Sequence, residues 1–217
     1  RYYDAILPFY DESLADRGDL PFWEAMATRW GATRILELGC GTGRVTEVLS
    51  RHAAVIGVDL LIEMLRHAVK RAPRARLVAS DLRQFAFAAK FDLIVLADDP
   101  MAHLTSIEDR ARVIRLIADH LTPDGRVVLE GLYRREGKRD IRPGTVEESW
   151  TPAGAPSVWR ASYRYQTAVV SSQMRSWSRQ ELAHLSDAGL QVESVWGDFS
   201  EGLFHDDSER IIVVGHR

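Results

Sequence analysis

Three glycines at alternate positions, Gly39, Gly41 and Gly43, follow the apolar run Arg34-Ile35-Leu36-Glu37-Leu38. They precede a stretch in which Val45, Val48 and Leu49 fall at helical spacing. A strand, a tight loop and a helix satisfy all three patterns. Lacking a β-carbon, Gly39 and Gly41 reach dihedrals closed to other residues and let a ligand lie against bare backbone. The helix that follows points unpaired N–H groups at whatever sits there. The stretch reads as a cofactor-binding elbow.

The pattern then alternates. Ala54-Val55-Ile56-Gly57-Val58 is a second strand ending at Asp59. An acidic residue about 20 positions after the first strand is where nucleoside-binding α/β folds place the carboxylate that accepts from two ribose hydroxyls. Capping of a helix beginning near Leu61 explains an Asp there as well. Leu61, Met64, Leu65, Ala68 and Ala72 follow helical spacing up to Pro73, and Ala75 to Ala79 is a third strand leading into Asp81. Asp81 reads either as acceptor for an exocyclic amine or as a helix start. Phe91 to Leu96 is the fourth strand, and Ala97-Asp98-Asp99-Pro100-Met101-Ala102-His103 is the loop expected to carry reacting groups. Ser106 to Asp109 reads as a capping box for the next helix, Pro123-Asp124-Gly125 as a turn and Arg126 to Leu132 as a fifth strand. Alternation of this kind predicts a doubly wound, mostly parallel sheet with right-handed crossovers.

Residues 133 to 177 break the alternation. Arg134 to Gly144 reads as a charged loop, and three strands are expected over roughly Thr145 to Trp150, Val158 to Ala168 and Val169 to Trp177. Their roles stay open between a lid over the ligand edge, a homodimer contact and a plain surface ribbon. Ser178 to Glu181 caps a further helix, and Gln191 to Phe199 and Glu209 to His216 are too close for a crossover, so they pair antiparallel. The N-terminal stretch, residues 1–30, reads as a cap. Phe22, Trp23, Met26 and Trp30 are core positions of its helix, while Tyr3 and Tyr10 sit in polar sequence that suits closure over a ligand.

Composition bounds the function. At 217 residues the chain fits a single domain, 1–217, and a net charge of −3 without a basic block argues against a nucleic-acid surface. No apolar run approaches the roughly 20 residues of a membrane span and no signal pattern opens the chain, so a cytoplasmic location is expected. Cys40 is the only cysteine, which excludes disulfides within the chain and cysteine-cluster metal sites; no metal is expected.

Glu37-Leu38-Gly39-Cys40-Gly41-Thr42-Gly43, with Asp59 and Asp81 at successive strand ends and the closing strand pair, resembles the class I S-adenosylmethionine-dependent methyltransferases. Nicotinamide enzymes prefer G-x-G-x-x-G instead. Within the class, the Cys-Gly-Thr-Gly-Arg loop, the His-Leu after the fourth strand, the inserted strands and Gly197-Asp198-Phe199 look most like the bacterial small-molecule group that includes amino-sugar N-methyltransferases. The resemblance implies a seven-stranded Rossmann-like methyltransferase fold with a small antiparallel β lid inserted after the fifth strand. It implies S-adenosylmethionine as cofactor and S-adenosylhomocysteine as product, with Asp59 on the ribose, Asp81 and Leu82 at the adenine, Gly39 and Gly41 under the methionine part and Tyr3 near the sulfonium. Glu37, Cys40, Arg44, Leu60, Met64 and Ala97 complete the implied cofactor set. Asp98-Asp99-Pro100 departs from the Asn-Ser type sequence common after strand four in this group.

Methyl transfer from a sulfonium is an in-line displacement, so alignment is the protein's main task. His103 is the candidate proton acceptor, Asp98 and Asp99 are candidates to hold a cationic amine, and Tyr3 and Tyr10 suit the sulfonium through ring electrostatics. The expected activity is methylation of a nitrogen or oxygen on a small metabolite. Its rivals are a methyltransferase acting on protein or RNA and a non-catalytic nucleoside-binding protein.

Overall fold

The computed structural model describes Leu7, Tyr10, Asp11, Leu14 and residues 17–133, 137–142, 146–165 and 169–217. Tyr3 lies outside the described residues. Helix α1 (Leu20–Arg29) carries Pro21 in its first turn, with Asp19 at the N-cap position. Then come β1 (Arg34–Leu38), α2 (Arg44–Leu49), β2 (Ala54–Asp59), α3 (Ile62–Arg71), β3 (Arg76–Ala79) and β4 (Phe91–Leu96). A 3-10 turn over Pro100–His103 leads to α4 (Ile107–His120) and β5 (Leu121–Leu132). Four strands follow, β6 (Gly137–Arg142), β7 (Val146–Pro152), β8 (Val158–Arg164) and β9 (Val169–Arg175), then α5 (Arg179–Asp187), β10 (Gln191–Trp196) and β11 (Arg210–His216).

The main sheet has seven strands in the order β10-β11-β5-β4-β1-β2-β3. β1 lies between β2 and β4 and is parallel to both, with Ile35 opposite Val55 on one side and Leu93 on the other. β11 pairs antiparallel with both β5 and β10, as expected for two strands with no crossover helix between them. Strand order reverses between β1 and β4, so the loops leaving them diverge and open the crevice where α/β sheets take ligands.

Period-two alternation sends successive residues to opposite faces. Leu36, Leu38, Ile94 and Leu96 pack with Val113, Ile114 and Ile117 of α4, while Ile35, Val55, Leu93 and Val95 pack with Phe22, Trp23 and Met26 of α1. Trp23 is fully buried, its ring 5.0 Å edge-on to Phe22 and its Nε1 donating to Asp19 at 3.1 Å. Burying side chains of this size is worth about 1.5–3 kcal/mol each, which fastens the N-terminal helix to the back of the sheet.

The inserted region is a separate sheet in the order β6-β7-β8-β9. It has four strands rather than three, because Gly137–Arg142, expected as loop, pairs antiparallel with β7. That segment is the outermost strand, and a charged edge has no apolar alternation to reveal it. β5 also begins earlier than expected. Leu121 already pairs with Phe91, and the register jumps to Leu93–Arg126, so Pro123-Asp124-Gly125 lies within the strand as an irregularity. No helix among the described residues is long and apolar enough to cross a membrane.

Candidate functional site

The glycine loop takes the shape its composition allows. Gly39, Gly41 and Gly43 have φ of +77°, +53° and +83°, a region that side chains with a β-carbon rarely enter. Gly39 and Cys40 both donate N–H bonds to the Val58 carbonyl, at 2.7 and 2.9 Å, which ties the loop to the end of β2. Beneath the loop Glu37 is buried and accepts from the Thr46 hydroxyl; burial pushes its carboxyl up to about 8. Burial likewise raises the Cys40 thiol far above its ordinary range and leaves it inert.

Asp59 braces the loop from the adjacent strand. One carboxylate oxygen accepts the Gly41 N–H at 2.9 Å and the other the Leu61 N–H at 2.8 Å. Leu61 itself occupies the N-cap position of α3, with no side-chain cap bond, so Asp59 is not that helix's cap. An ionised carboxylate has about four acceptor positions, and the two backbone bonds leave room for two further donors. Burial holds the Asp59 carboxyl above its ordinary value against these bonds. Leu60 beside it is 63% exposed, whereas Met64 is buried behind it.

Asp81 is differently placed. Arg83 engages it through Nε at 3.0 Å, Nη2 at 2.6 Å and the backbone N–H at 2.8 Å, which holds its carboxyl below the usual range. Turns rather than a helix follow it, and Leu82 packs on the core from a partly buried position. Arg44 is committed to the N-terminal segment. It forms two 2.7 Å bonds to the buried Asp19, which the sequence reading took no account of.

The loop after β4 forms the opposite wall. Ala97 is buried, and Asp98 and Asp99 both adopt left-handed backbone, with φ of +58° and +46°. The next four residues divide their contacts. Pro100 presses on Gly39, Met101 enters the core, Ala102 packs with Trp150, Ala161 and Met174 of the inserted sheet, and His103 closes the turn half-buried. Burial lowers His103 to about 4, so it is neutral throughout the physiological range. Asp99 accepts the Leu132 N–H at 2.7 Å and is pushed up to about 7 by burial, which the nearby Arg110 only partly offsets.

Tyr10 joins the two walls. A β-carbon on Gly41 would lie 3.4 Å from its hydroxyl, and its ring packs against the cluster of Val146, Tyr165 and Val170 in the inserted sheet. Burial, then Asp98 and Asp59, push its hydroxyl well above the ordinary tyrosine value. Glu130 and Arg17, which no motif marks, also lie here. Glu130 is buried on β5, and Arg17 bridges it to Asp98. Among the described residues no group of three or more His, Cys, Asp or Glu has the geometry to hold a metal.

A family model described as a methyltransferase domain matches residues 35–125. The chain is 34% identical over 187 residues to a dTDP-3-amino-3,4,6-trideoxy-alpha-D-glucopyranose N,N-dimethyltransferase from Streptomyces venezuelae, covering 86% of this chain and 70% of that relative. It is 31% identical over 175 residues to a trans-aconitate 2-methyltransferase from Azoarcus sp. (strain BH72), covering 76% and 68%. The solved structure of a S-adenosylmethionine-dependent methyltransferase from Clostridium acetobutylicum ATCC 824 shares the fold, with a TM-score of 0.79 at 19% identity over 100% of this chain and 99% of that one. A relative this similar, matched across most of both chains, agrees with the left-handed glycine loop and the carboxylate on the next strand: the chain belongs to the class I S-adenosylmethionine-dependent methyltransferases.

Proposed function

We propose that this methyltransferase acts on the nitrogen of a small polar amine of the amino-sugar kind. The enzyme is one of small-molecule methylation, with S-adenosylmethionine as donor and S-adenosylhomocysteine as product. The observation that carries the amine reading is the charge of the wall after β4. Asp98, Asp99 and Glu130 gather there, and the neighbouring described arginines are already engaged: Arg17 by Asp98 and Glu130, Arg44 by Asp19, Arg210 by Glu130 and Arg110 by Glu181. The same pairs compensate Asp98 and Glu130, which leaves Asp99 as the carboxylate of this wall for an ammonium or amine and none of these arginines for an acceptor with several carboxylates. Methylation of a small polycarboxylate, after the trans-aconitate in the Azoarcus relative's name, is the second reading.

The glycine loop fits the cofactor through its left-handed backbone, braced by the Asp59 carboxylate, while Pro100 and Tyr10 occupy the places where side chains on Gly39 and Gly41 would stand. When bound, the cofactor supplies a methyl group on sulfur that is already activated for displacement. In this reading Asp59 holds the ribose hydroxyls, Gly39, Cys40 and Gly41 make room for the methionine part, and Leu60, Met64 and Leu82 form apolar walls for the adenine. Glu37 and Ala97 shape the floor, and Arg44 acts through Asp19. The inserted sheet serves as a lid, since it already packs on Ala102 and Tyr10. Enclosure by it would exclude water and strengthen polar contacts to the acceptor.

The neutral His103 ring accepts an N–H of the incoming amine and aims its lone pair. With a value of about 4 it is a weak base, so an ammonium acceptor sheds its first proton to solvent before it attacks, and the methylated ammonium that forms loses its remaining proton after transfer. Asp98 and Asp99 favour an amine over a neutral alcohol. Purified protein with radiolabelled S-adenosylmethionine and two matched panels, amino sugars with their nucleotide-linked forms and small polycarboxylates, tests this. Methyl transfer confined to the amines is expected, and transfer confined to the acids would replace the reading with its rival.

A further inference from the structure

We propose that Glu130 is a positioning residue for methyl transfer, fastening the Asp98-Asp99 turn and the Arg17 end of the N-terminal segment into one wall of the acceptor site; this rests on the methyltransferase reading. Glu130 is only 1% exposed, and a carboxylate is seldom buried so completely unless paired. One of its oxygens forms ion pairs with Arg17 and with Arg210, the latter at 2.8 Å, and the other accepts the Asp98 N–H at 2.7 Å. Three separate parts of the chain therefore meet on one side chain: the N-terminal cap at Arg17, the loop after β4 and the last strand.

The assembly is closed on its other sides. Arg17 reaches on to Asp98, and the guanidinium carbons of Arg17 and Arg210 lie 5.6 and 4.5 Å from the centroid of the Phe199 ring. That ring packs on Phe22 at 5.5 Å and on Trp23 at 6.4 Å, so the cluster is seated on the same helix that covers the sheet. Phe199 was singled out in the sequence beside Gly197 and Asp198; here it backs both arginines.

Asp98 and Asp99 are consecutive non-glycine residues with left-handed backbone. Such conformations persist where the surroundings over-determine them, and they gather at functional sites. Three bonds determine this one: the Asp98 N–H to Glu130, the Leu132 N–H to Asp99, and the Ala102 N–H to the Asp99 carbonyl at 3.0 Å. The turn sets where Pro100 meets Gly39 and where His103 stands, so a change at Glu130 travels to both walls without Glu130 touching a reactant. A glutamine keeps an acceptor for the Asp98 N–H and removes the charge that holds both arginines.

Hydrogen exchange of the free protein, S-adenosylhomocysteine calorimetry and turnover with the most active amine of the panel are compared for wild type, Glu130→Gln, Glu130→Asp and a surface control, Glu193→Gln. For Glu130→Gln we expect exchange about tenfold faster in the peptide spanning residues 97–104, with the rest of the sheet unchanged. We also expect kcat to fall about tenfold or more while the dissociation constant changes less than about threefold, with partial recovery in Glu130→Asp. Unchanged exchange at 97–104 in a folded Glu130→Gln, or faster exchange across the whole sheet with kcat and melting temperature falling together, would overturn the proposal. Should that variant not fold, Arg210→Gln loosens the cluster from the last strand and must give the same local pattern, and its absence counts against the proposal equally. Wild type that binds no S-adenosylhomocysteine would defeat the methyltransferase reading, while the exchange comparison would still decide the linkage.

Discussion

Pro100 lies directly over Gly39: a β-carbon built on the glycine would stand 2.2 Å from the proline Cβ and 2.8 Å from its Cγ. The loop after β1 and the loop after β4, which diverge at the reversal of strand order, therefore touch through an atom the sequence leaves out. Gly39→Ala adds that atom at a residue with φ of +77°. Overpacking costs about 1–3 kcal/mol and the left-handed alanine about 1–2 more. We expect a stability loss of about 2–5 kcal/mol in urea unfolding, together with loss of S-adenosylhomocysteine binding by calorimetry. A stable variant with wild-type affinity would show that the two loops move apart freely.

Asp59 and Asp81 stand at successive strand ends, yet their environments predict unequal effects. Asp59 holds two loop N–H groups and keeps acceptor capacity for two donors, so Asp59→Ala removes charge-assisted bonds worth about 1.5–3 kcal/mol each. Affinity for S-adenosylhomocysteine should fall roughly a hundredfold or more. Asp81 is committed to Arg83, and Asp81→Ala should cost less than about tenfold. Equal losses would mean that Arg83 swings away and Asp81 takes the adenine amine, as the family resemblance implies.

The unequal placement of these two aspartates shows how far a sequence reading reaches. The sheet, the glycine loop and the place of Asp59 at the end of β2 were legible because each follows from local pattern: alternation for the strands, missing β-carbons for the loop, spacing for the carboxylate. Arg83 on Asp81 follows from side-chain direction within a turn, and Glu130 from three segments meeting, for which no local pattern exists. β6 escaped because backbone pairing alone makes it a strand. The contacts of Ala102 and Tyr10 with the inserted sheet depend on how two sheets dock, a matter of tertiary packing rather than period.

Asp99 gives stability a pH dependence of stated sign. Its carboxyl titrates near 4 in the unfolded chain and at about 7 when folded, so the folded state binds the proton more tightly. The associated stabilisation is complete below about pH 4 and is lost as pH rises through about 7, a change of up to about 4 kcal/mol. Glu37, raised to about 8, acts in the same direction one step later. Asp11, Asp19 and Asp92, all held low, contribute the opposite slope in acid, and His103, held at about 4, opposes it up to about pH 6.5. Denaturant midpoints of wild type should therefore decline chiefly between about pH 6.5 and 8, where His103 no longer opposes the fall, and Asp99→Asn, which keeps an acceptor for the Leu132 N–H, should remove the Asp99 share, which lies between about pH 4 and 7. An unaltered decline in the variant would assign the slope to other groups.

His103 separates orientation from proton removal. A ring held at about 4 cannot titrate in the neutral range, so the neutral-range limb of the kcat/KM profile should belong to the acceptor amine and to Asp99 at about 7, only the amine's part shifting when an amine of different basicity is supplied. His103→Ala should lower kcat about tenfold to a hundredfold, within the range for a misaligned acceptor. Affinity for S-adenosylhomocysteine should change by less than about twofold, because Pro100, not His103, carries the turn's contact with the glycine loop. His103→Gln, which offers a carbonyl acceptor of similar reach, should recover part of the loss without moving the limb. A limb near 6.5 that disappears in His103→Ala would instead make the ring a titrating base, and full activity in His103→Ala would remove it from the reaction altogether.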